Sequence, residues 1–133
     1  MYQNLILIGR LGTEPVLRKT LKGQPVVTFQ FYTREKRWND QDTPTTLTVW
    51  WHISMFGEKA KAVAAGAHKG DRLMIEGSLN PAPNGNPRVY QLKSGEWAGT
   101  YDVTARMFRF LEPPQIGEEC SEELSELFEG REE

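Results

Sequence analysis

Large aromatic side chains are the groups in this sequence whose type and spacing could do chemistry. Several lie in residues 47–57, LTVWWHISMFG, which predict a β-strand. Because side chains alternate between the two faces of a strand, Trp50, His52 and Phe56 share one face, and Trp51 lies on the other among aliphatic residues. Exposed rings can stack on nucleobases of any identity, so the face with Trp50 and Phe56 is a candidate stacking surface. The alternative for Trp50 is packing under a loop or at a subunit interface.

A further candidate ring, Trp38, lies in the polar stretch 34–46, which predicts a loop. Arg34, Lys36 and Arg37 precede it, so the ring could stack on a base while the cations bind phosphate. The alternative is that Trp38 folds back onto the body of the protein.

The remaining candidate contacts are two aromatics and a set of basic residues. Tyr90 and Trp97 fall in a long predicted hairpin, where glycines and prolines leave the strand register, and so the direction of each ring, open. Basic residues elsewhere could line a phosphate track, although any single one is more often plain solvated surface: Arg10, Arg18, Lys69, Arg72 and Arg88.

Groups for catalysis are sparse. The chain has two histidines, His52 and His68, and one cysteine, Cys120. Metal-ligand spacing, a phosphate-binding glycine loop and a nucleophile elbow are all missing from the sequence. We therefore expect a binding protein without cofactor or metal, and not an enzyme. With one cysteine, no leader-like start and no run approaching ~20 apolar residues, the sequence also predicts a cytoplasmic protein without membrane spans.

Charge divides the chain into two parts. Residues 1–111 hold 15 of the 16 Lys+Arg and 9 of the 18 Asp+Glu, a net charge of +6, whereas residues 112–133 carry −8. We expect a nucleic-acid-binding domain over 1–111 and an acidic, disordered tail over 112–133. In the tail, Leu124, Leu127 and Phe128 have the i, i+3, i+4 spacing of one helix face, and our hypothesis is that they dock on a basic groove of a partner protein. The alternative is a tail that only repels its own domain's DNA surface.

The elements that must position these residues are mostly strands. Alternation and turn signals predict an all-β domain, with one short helix between the third and fourth strands. The predicted strands are residues 4–11, 25–33, 47–57, 71–79 and 101–111, and the predicted helix is 58–68. We also expect Leu17–Leu21 to pair with Val26–Tyr32. Residues 80–88 are predicted to form a loop, and an extended hairpin follows it. That order is the layout of an OB-fold, a five-stranded Greek-key barrel. The predicted core positions are Val27, Phe29, Phe31, Val49, Trp51, Ile53, Met55, Leu73, Ile75, Val103, Ala105 and Met107.

Four segments together resemble the bacterial single-stranded DNA-binding proteins. They are NLILIGRLGTEPVLR, KGQPVVTFQFYT, TVWWHISMFGEKAKAVAAGAHKGDRLMIEGSL and YDVTARMFRFL. The resemblance covers about residues 2–111, apart from 80–100. It implies an OB-fold protein, commonly a homotetramer, that coats single-stranded DNA without strong sequence specificity in replication, recombination and repair. It also implies a place in the bacterial cytoplasm with the nucleoid. A primosome-type accessory protein, acting mainly through protein contacts, is the alternative.

The resemblance also assigns roles to single residues. Trp50 and Phe56 match stacking positions of the family, and Trp38 matches its tryptophan after the second strand, with one apparent insertion. Arg18 and Lys69 match basic positions, and His52 stands where the family often has arginine. Two departures are the segment NPAPNGNPRVYQ after the fourth strand and the ending GREE, where the family usually has an acidic tip ending in Pro-Phe that recruits replication and repair proteins.

Overall fold

The computed structural model describes residues 1–111, which form seven strands and one helix. The elements are β1 (Leu5–Leu11), β2 (Val16–Lys19), β3 (Pro25–Trp38), β4 (Pro44–Phe56), α1 (Glu58–Gly66), β5 (Arg72–Leu79), β6 (Arg88–Gln91) and β7 (Trp97–Phe110). In this part of the chain, no helix has the length and apolar character to cross a bilayer.

Five of the strands close into a barrel. β1 pairs with β5, β5 with β7, β4 with β3 and β3 with β1, all antiparallel, whereas β7 pairs with β4 in parallel. β2 extends the sheet from β3, and β6 pairs with the first part of β7. α1 lies between β4 and β5, the third and fourth strands of the barrel, so the predicted OB-fold layout is confirmed.

The barrel interior is filled by the alternating apolar residues of its strands. The fully buried side chains include Val27, Phe31, Ile53, Leu73 and Ile75, each contributing about 1.5–3 kcal/mol through burial. α1 adds Ala60 and Val63 to the same cluster. The predicted core is confirmed at these strand positions. Val49 and Trp51, in contrast, lie only partly buried at the rim, because β4 leaves the barrel there.

The prediction of a loop over residues 34–46 was wrong. β3 and β4 form a long hairpin that extends past the barrel, with paired residues from Thr33 opposite Val49 to Trp38 opposite Pro44. The side chain of Asn39 closes the turn by accepting hydrogen bonds from two backbone N–H groups of residues 41–43. Both faces of this extension are exposed to solvent, so its strands need no alternation of polar and apolar residues.

The prediction that Met107 faces the core was also wrong. β5 and β7 pair Gly77 with Ala105 but Glu76 with Met107, so Arg106 is an extra residue in β7. Such a bulge reverses which side chains face inward. Met107 is therefore 41% exposed, and Phe108 packs against the core in its place.

Candidate nucleic-acid interface

The even-numbered side chains of β3 and β4 form one continuous surface, which we call the outer face. The register places Tyr32 beside Trp50, Gln30 beside His52, and Val26 beside Phe56. Trp50 is 53% exposed, and Phe56 is also exposed. From Phe56 to the far end of the hairpin, the face is about 40 Å long at about 3.3 Å per residue.

Trp50 is held in place at the middle of the outer face. Its ring lies 5.1 Å from the ring of Tyr32, and a Cβ atom added to Gly12 would be 2.4 Å from its Cζ3 atom. The bend at Gly12 is itself fixed on β3, because the Gly12 N–H donates to the Gln30 carbonyl (2.8 Å) and Thr13 Oγ1 accepts from the Gln30 N–H (3.0 Å). One side of the indole therefore packs on a glycine while about half of it stays open to solvent.

A basic groove lies on one side of Trp50. Tyr32, Arg34 and Lys69 line it together with Trp50 and small or backbone groups. The Arg34 guanidinium stands over the Tyr32 ring at 5.2 Å, a cation–π distance. Arg10 is close by, since its guanidinium donates to the Gly70 carbonyl, another lining residue (3.0 Å). The predicted contacts Arg34 and Lys69 are thus brought beside the predicted stacking ring, with Arg10 near them.

A polar groove lies on the other side of Trp50. Gln30, His52, Tyr90 and Asp102 line it, with the backbone near Thr100. The Gln30 amide nitrogen is 3.3 Å from Nδ1 of His52. Tyr90 reaches this groove from the hairpin formed by β6 and β7.

Trp97 lies elsewhere. Trp97 pairs with Gln91 and Tyr90 pairs with Ala98, so the two aromatic residues belong to neighbouring residue pairs of the hairpin. Because neighbouring residues of a strand face opposite ways, Trp97 projects from the other side of the hairpin, where it is 69% exposed. The structure therefore separates the two hairpin aromatics that the sequence left equivalent.

At the far end of the outer face stand Trp38 and Lys36. Trp38 is 64% exposed, and the Lys36 ammonium lies 6.0 Å from its ring. Trp38 does not fold back onto the barrel. Arg37 is on the opposite face of the hairpin and forms an ion pair with Glu35, so it is separated from the Trp38 ring.

The near end of the outer face combines an aromatic and a cation. Arg18 of β2 pairs with Val26, and Val26 pairs with Phe56, which places Arg18 and Phe56 in one row across three strands. Side chains of one row point to the same side of a sheet. Arg18, in the exposed strand β2, therefore lies on the same side of the sheet as Phe56, two strands or about 10 Å away.

One predicted phosphate contact is corrected. Arg72 opens β5 and is only 6% exposed, so a phosphate cannot reach its guanidinium without rearrangement of its neighbours. Arg88 is partly engaged, because its Nε donates to the Asn80 carbonyl (3.1 Å) and lies 3.8 Å from Asp102 Oδ2. The tail hypothesis cannot be placed, because its residues lie outside the described part of the chain: Leu124, Leu127 and Phe128.

Sequence reasoning missed three contributors to this surface. Tyr32 and Gln30 alternate with the core residues of β3, but only the register with β4 shows that they adjoin Trp50 and His52. Asp102 gave no signal in the sequence. It reaches the polar groove because β7 pairs in parallel with β4, with Asp102 opposite His52.

Comparison with known proteins identifies this barrel. The model of the Single-strand binding protein family matches residues 2–111. The chain belongs to this family. Two relatives are the single-stranded DNA-binding protein of Neisseria meningitidis serogroup A, 32% identical over 108 residues, and that of Thermotoga maritima, 32% identical over 126 residues. The matches cover 80% and 92% of this chain, and 58% and 84% of the respective relatives. The match thus spans little more than half of the Neisseria protein.

Two solved structures of single-stranded DNA-binding proteins share the fold. The small single-stranded DNA-binding protein of Streptomyces coelicolor superposes with a TM-score of 0.65 at 19% identity, over 82% of this chain and 94% of that one. A deletion mutant of the single-stranded DNA-binding protein of Thermus aquaticus gives 0.64 at 18% identity, over 82% of this chain and 50% of that one. At these identities the likeness concerns the fold alone.

Proposed function

We propose that this protein binds single-stranded DNA along the outer face, by base stacking and phosphate contacts and without strong sequence specificity. The observation that carries the proposal is the alternation along this face of exposed rings and cations. The rings at its two ends and centre are Trp38, Trp50 and Phe56, and each has a cation on the same side of the sheet. Stacking accepts every base because every base has a π-face, and each stacked base contributes ~1–3 kcal/mol.

The size of the face supports a single strand as the ligand. Its length of about 40 Å corresponds to about 12 nucleotides at the 3.4 Å spacing of stacked bases, which lies within the about 4–16 nucleotides that an OB-fold covers. Stacking on the rings requires bases that are not paired in a duplex. We therefore propose that the protein protects single strands in replication, recombination and repair, and that it acts by binding and not by catalysis.

The wider organisation is part of the same proposal. Residues 1–111 serve as the DNA-binding domain and residues 112–133 as an acidic tail that contacts replication or repair proteins in the bacterial cytoplasm, with the nucleoid. The protein assembles with itself as a tetramer. In support, Ile6 and Met107 stand in one row with Glu76 on the outside of β1, β5 and β7, and Ile6, Ile8 and Met107 are all exposed there. Light scattering tests the assembly, since a monomer mass of 15.2 kDa would contradict it. Deleting residues 116–133 tests the tail, since unchanged partner binding would remove its docking role.

The binding proposal is tested by titrating the protein with fluorescently labelled oligo(dT) and with duplex DNA of equal length. We expect tight binding of the single strand, much weaker binding of the duplex, and quenching of tryptophan fluorescence by oligo(dT). Equal affinity for both ligands would contradict the proposal.

A further inference from the structure

The polar groove contains a carboxylate whose hydrogen-bonding capacity is unused. The Asp102 side chain is 17% exposed, and its Oδ1 atom is buried without a hydrogen-bond partner within residues 1–111. Its Oδ2 atom is 3.8 Å from Arg88 Nε, beyond hydrogen-bond distance, and that Nε already donates to the Asn80 carbonyl. Because Oδ1 is buried, the more accessible Oδ2, to which no described group hydrogen-bonds, is the carboxylate oxygen that a base in the groove can reach.

The neighbours of Asp102 in the polar groove are side chains that can hydrogen-bond to a base. The Gln30 amide nitrogen lies within hydrogen-bonding distance of His52 Nδ1 (3.3 Å), and the amide oxygen of Gln30 is a further acceptor in the groove. Gln30, His52 and Asp102 occupy one row across β3, β4 and β7, between the rings of Trp50 and Tyr90. The polar groove thus has an aromatic ring on each side and, between the rings, a row of polar side chains that ends in the carboxylate of Asp102.

We propose that the polar groove reads the edge of one nucleobase and favours a base with an exocyclic amino group, cytosine being the pyrimidine of this class. A carboxylate accepts a hydrogen bond from the cytosine N4 amino group, whereas thymine presents its O4 acceptor at the same position. This inference rests on the proposed function, because it assigns a base to one position of the same strand. Arg34 and Lys69 line the basic groove on the other side of Trp50, so in this proposal the phosphates bind there and the carboxylate meets a base and not the backbone.

The test compares oligo(dC) with oligo(dT) on the wild type and on Asp102→Asn. Both ligands are pyrimidines with similar stacking area, so the ratio of their Kd values isolates the base edge. For one charge-assisted hydrogen bond we expect the preference for oligo(dC), relative to oligo(dT), to fall by about 5- to 10-fold in Asp102→Asn. The matched control is Asp40→Asn, the same change of charge at an exposed position of the β3–β4 turn, which should leave the ratio unchanged while raising both affinities slightly.

A change on the DNA side keeps the inference testable if Asp102→Asn does not fold. Oligonucleotides that carry N4,N4-dimethylcytosine keep the ring but lose both amino hydrogens. We expect the wild type to bind them about 5- to 10-fold more weakly than oligo(dC), and Asp102→Asn to distinguish the two less.

The outcomes separate this inference from the proposed function. If the wild type binds no single-stranded oligonucleotide, the proposed function fails. If it binds them all but the dC-to-dT ratio is the same in wild type and Asp102→Asn, or dimethylation has no effect, the base-reading role is overturned and Asp102 is only the ion partner of Arg88.

Discussion

Replacing Trp50 by alanine should separate DNA binding from folding, because the indole is half exposed at the centre of the outer face. Loss of one stacking ring costs ~1–3 kcal/mol, which raises Kd for oligo(dT) about 5- to 150-fold. Full truncation of a buried tryptophan costs about 3–5 kcal/mol of stability. Since only about half of the Trp50 side chain is buried, on Gly12 and Tyr32, we expect about half of that cost.

The neighbouring Trp51 is the matched control. Its ring packs against the core and lies 5.1 Å from the Tyr101 ring, and its Nε1 donates to Thr33 Oγ1 (3.0 Å). Because most of its side chain is buried, Trp51→Ala should lower the free energy of unfolding by most of those about 3–5 kcal/mol, and by more than Trp50→Ala does. Where the variant is folded, its Kd for oligo(dT) should change less than that of Trp50→Ala.

Urea unfolding and fluorescence anisotropy with labelled oligo(dT) measure the two effects on the same samples. The expected pattern is a large change of Kd for Trp50→Ala and a large change of stability for Trp51→Ala. The opposite pattern would refute the assignment of Trp50 to the DNA-binding face.

Three further predictions concern the same face: its positive charge, the glycine on which the Trp50 ring packs, and the tyrosine that reaches it from the β6–β7 hairpin. Arg34→Ala should weaken binding of all sequences and reduce the slope of log Kd against log salt by about 0.7, the value for one phosphate contact on a single strand; an unchanged slope would place Arg34 away from the backbone. Gly12→Val should displace the Trp50 ring, since a Cβ has no room there, and should weaken oligo(dT) binding as Trp50→Ala does; a crystal structure with the ring unmoved would contradict this. Tyr90→Ala should raise Kd about 5- to 150-fold in anisotropy titrations, whereas Trp97→Ala should change it less than twofold, and equal effects would contradict the geometry of the hairpin.

Strand alternation predicted much of this surface. The apolar side chains of β3 and β4 identified the inward positions, so Trp50 and Phe56 could be assigned to the outside from parity alone. The barrel and the place of the helix also followed from the order of strands. These features depend on local patterns, which a single sequence contains.

The missed features depend on pairing between distant segments. The hairpin that carries Trp38 has two exposed faces, so its strands lack the alternation that marks a strand. A bulge in β7, opposite Glu76 and Gly77, turns the Met107 side chain outward. The burial of Arg72 depends on the strands around it. Asp102 joins the site only through the parallel register of β7 with β4.

In the proposed function, one face of the β3–β4 hairpin contacts the single strand. Ultraviolet crosslinking of the protein to oligo(dT), with the crosslinked residues identified by mass spectrometry, tests it most directly. We expect crosslinks at Trp38, Trp50 and Phe56, and none at Trp97, although Trp97 is the most exposed tryptophan of these. Crosslinks at Trp97 with none at Trp50 would contradict it.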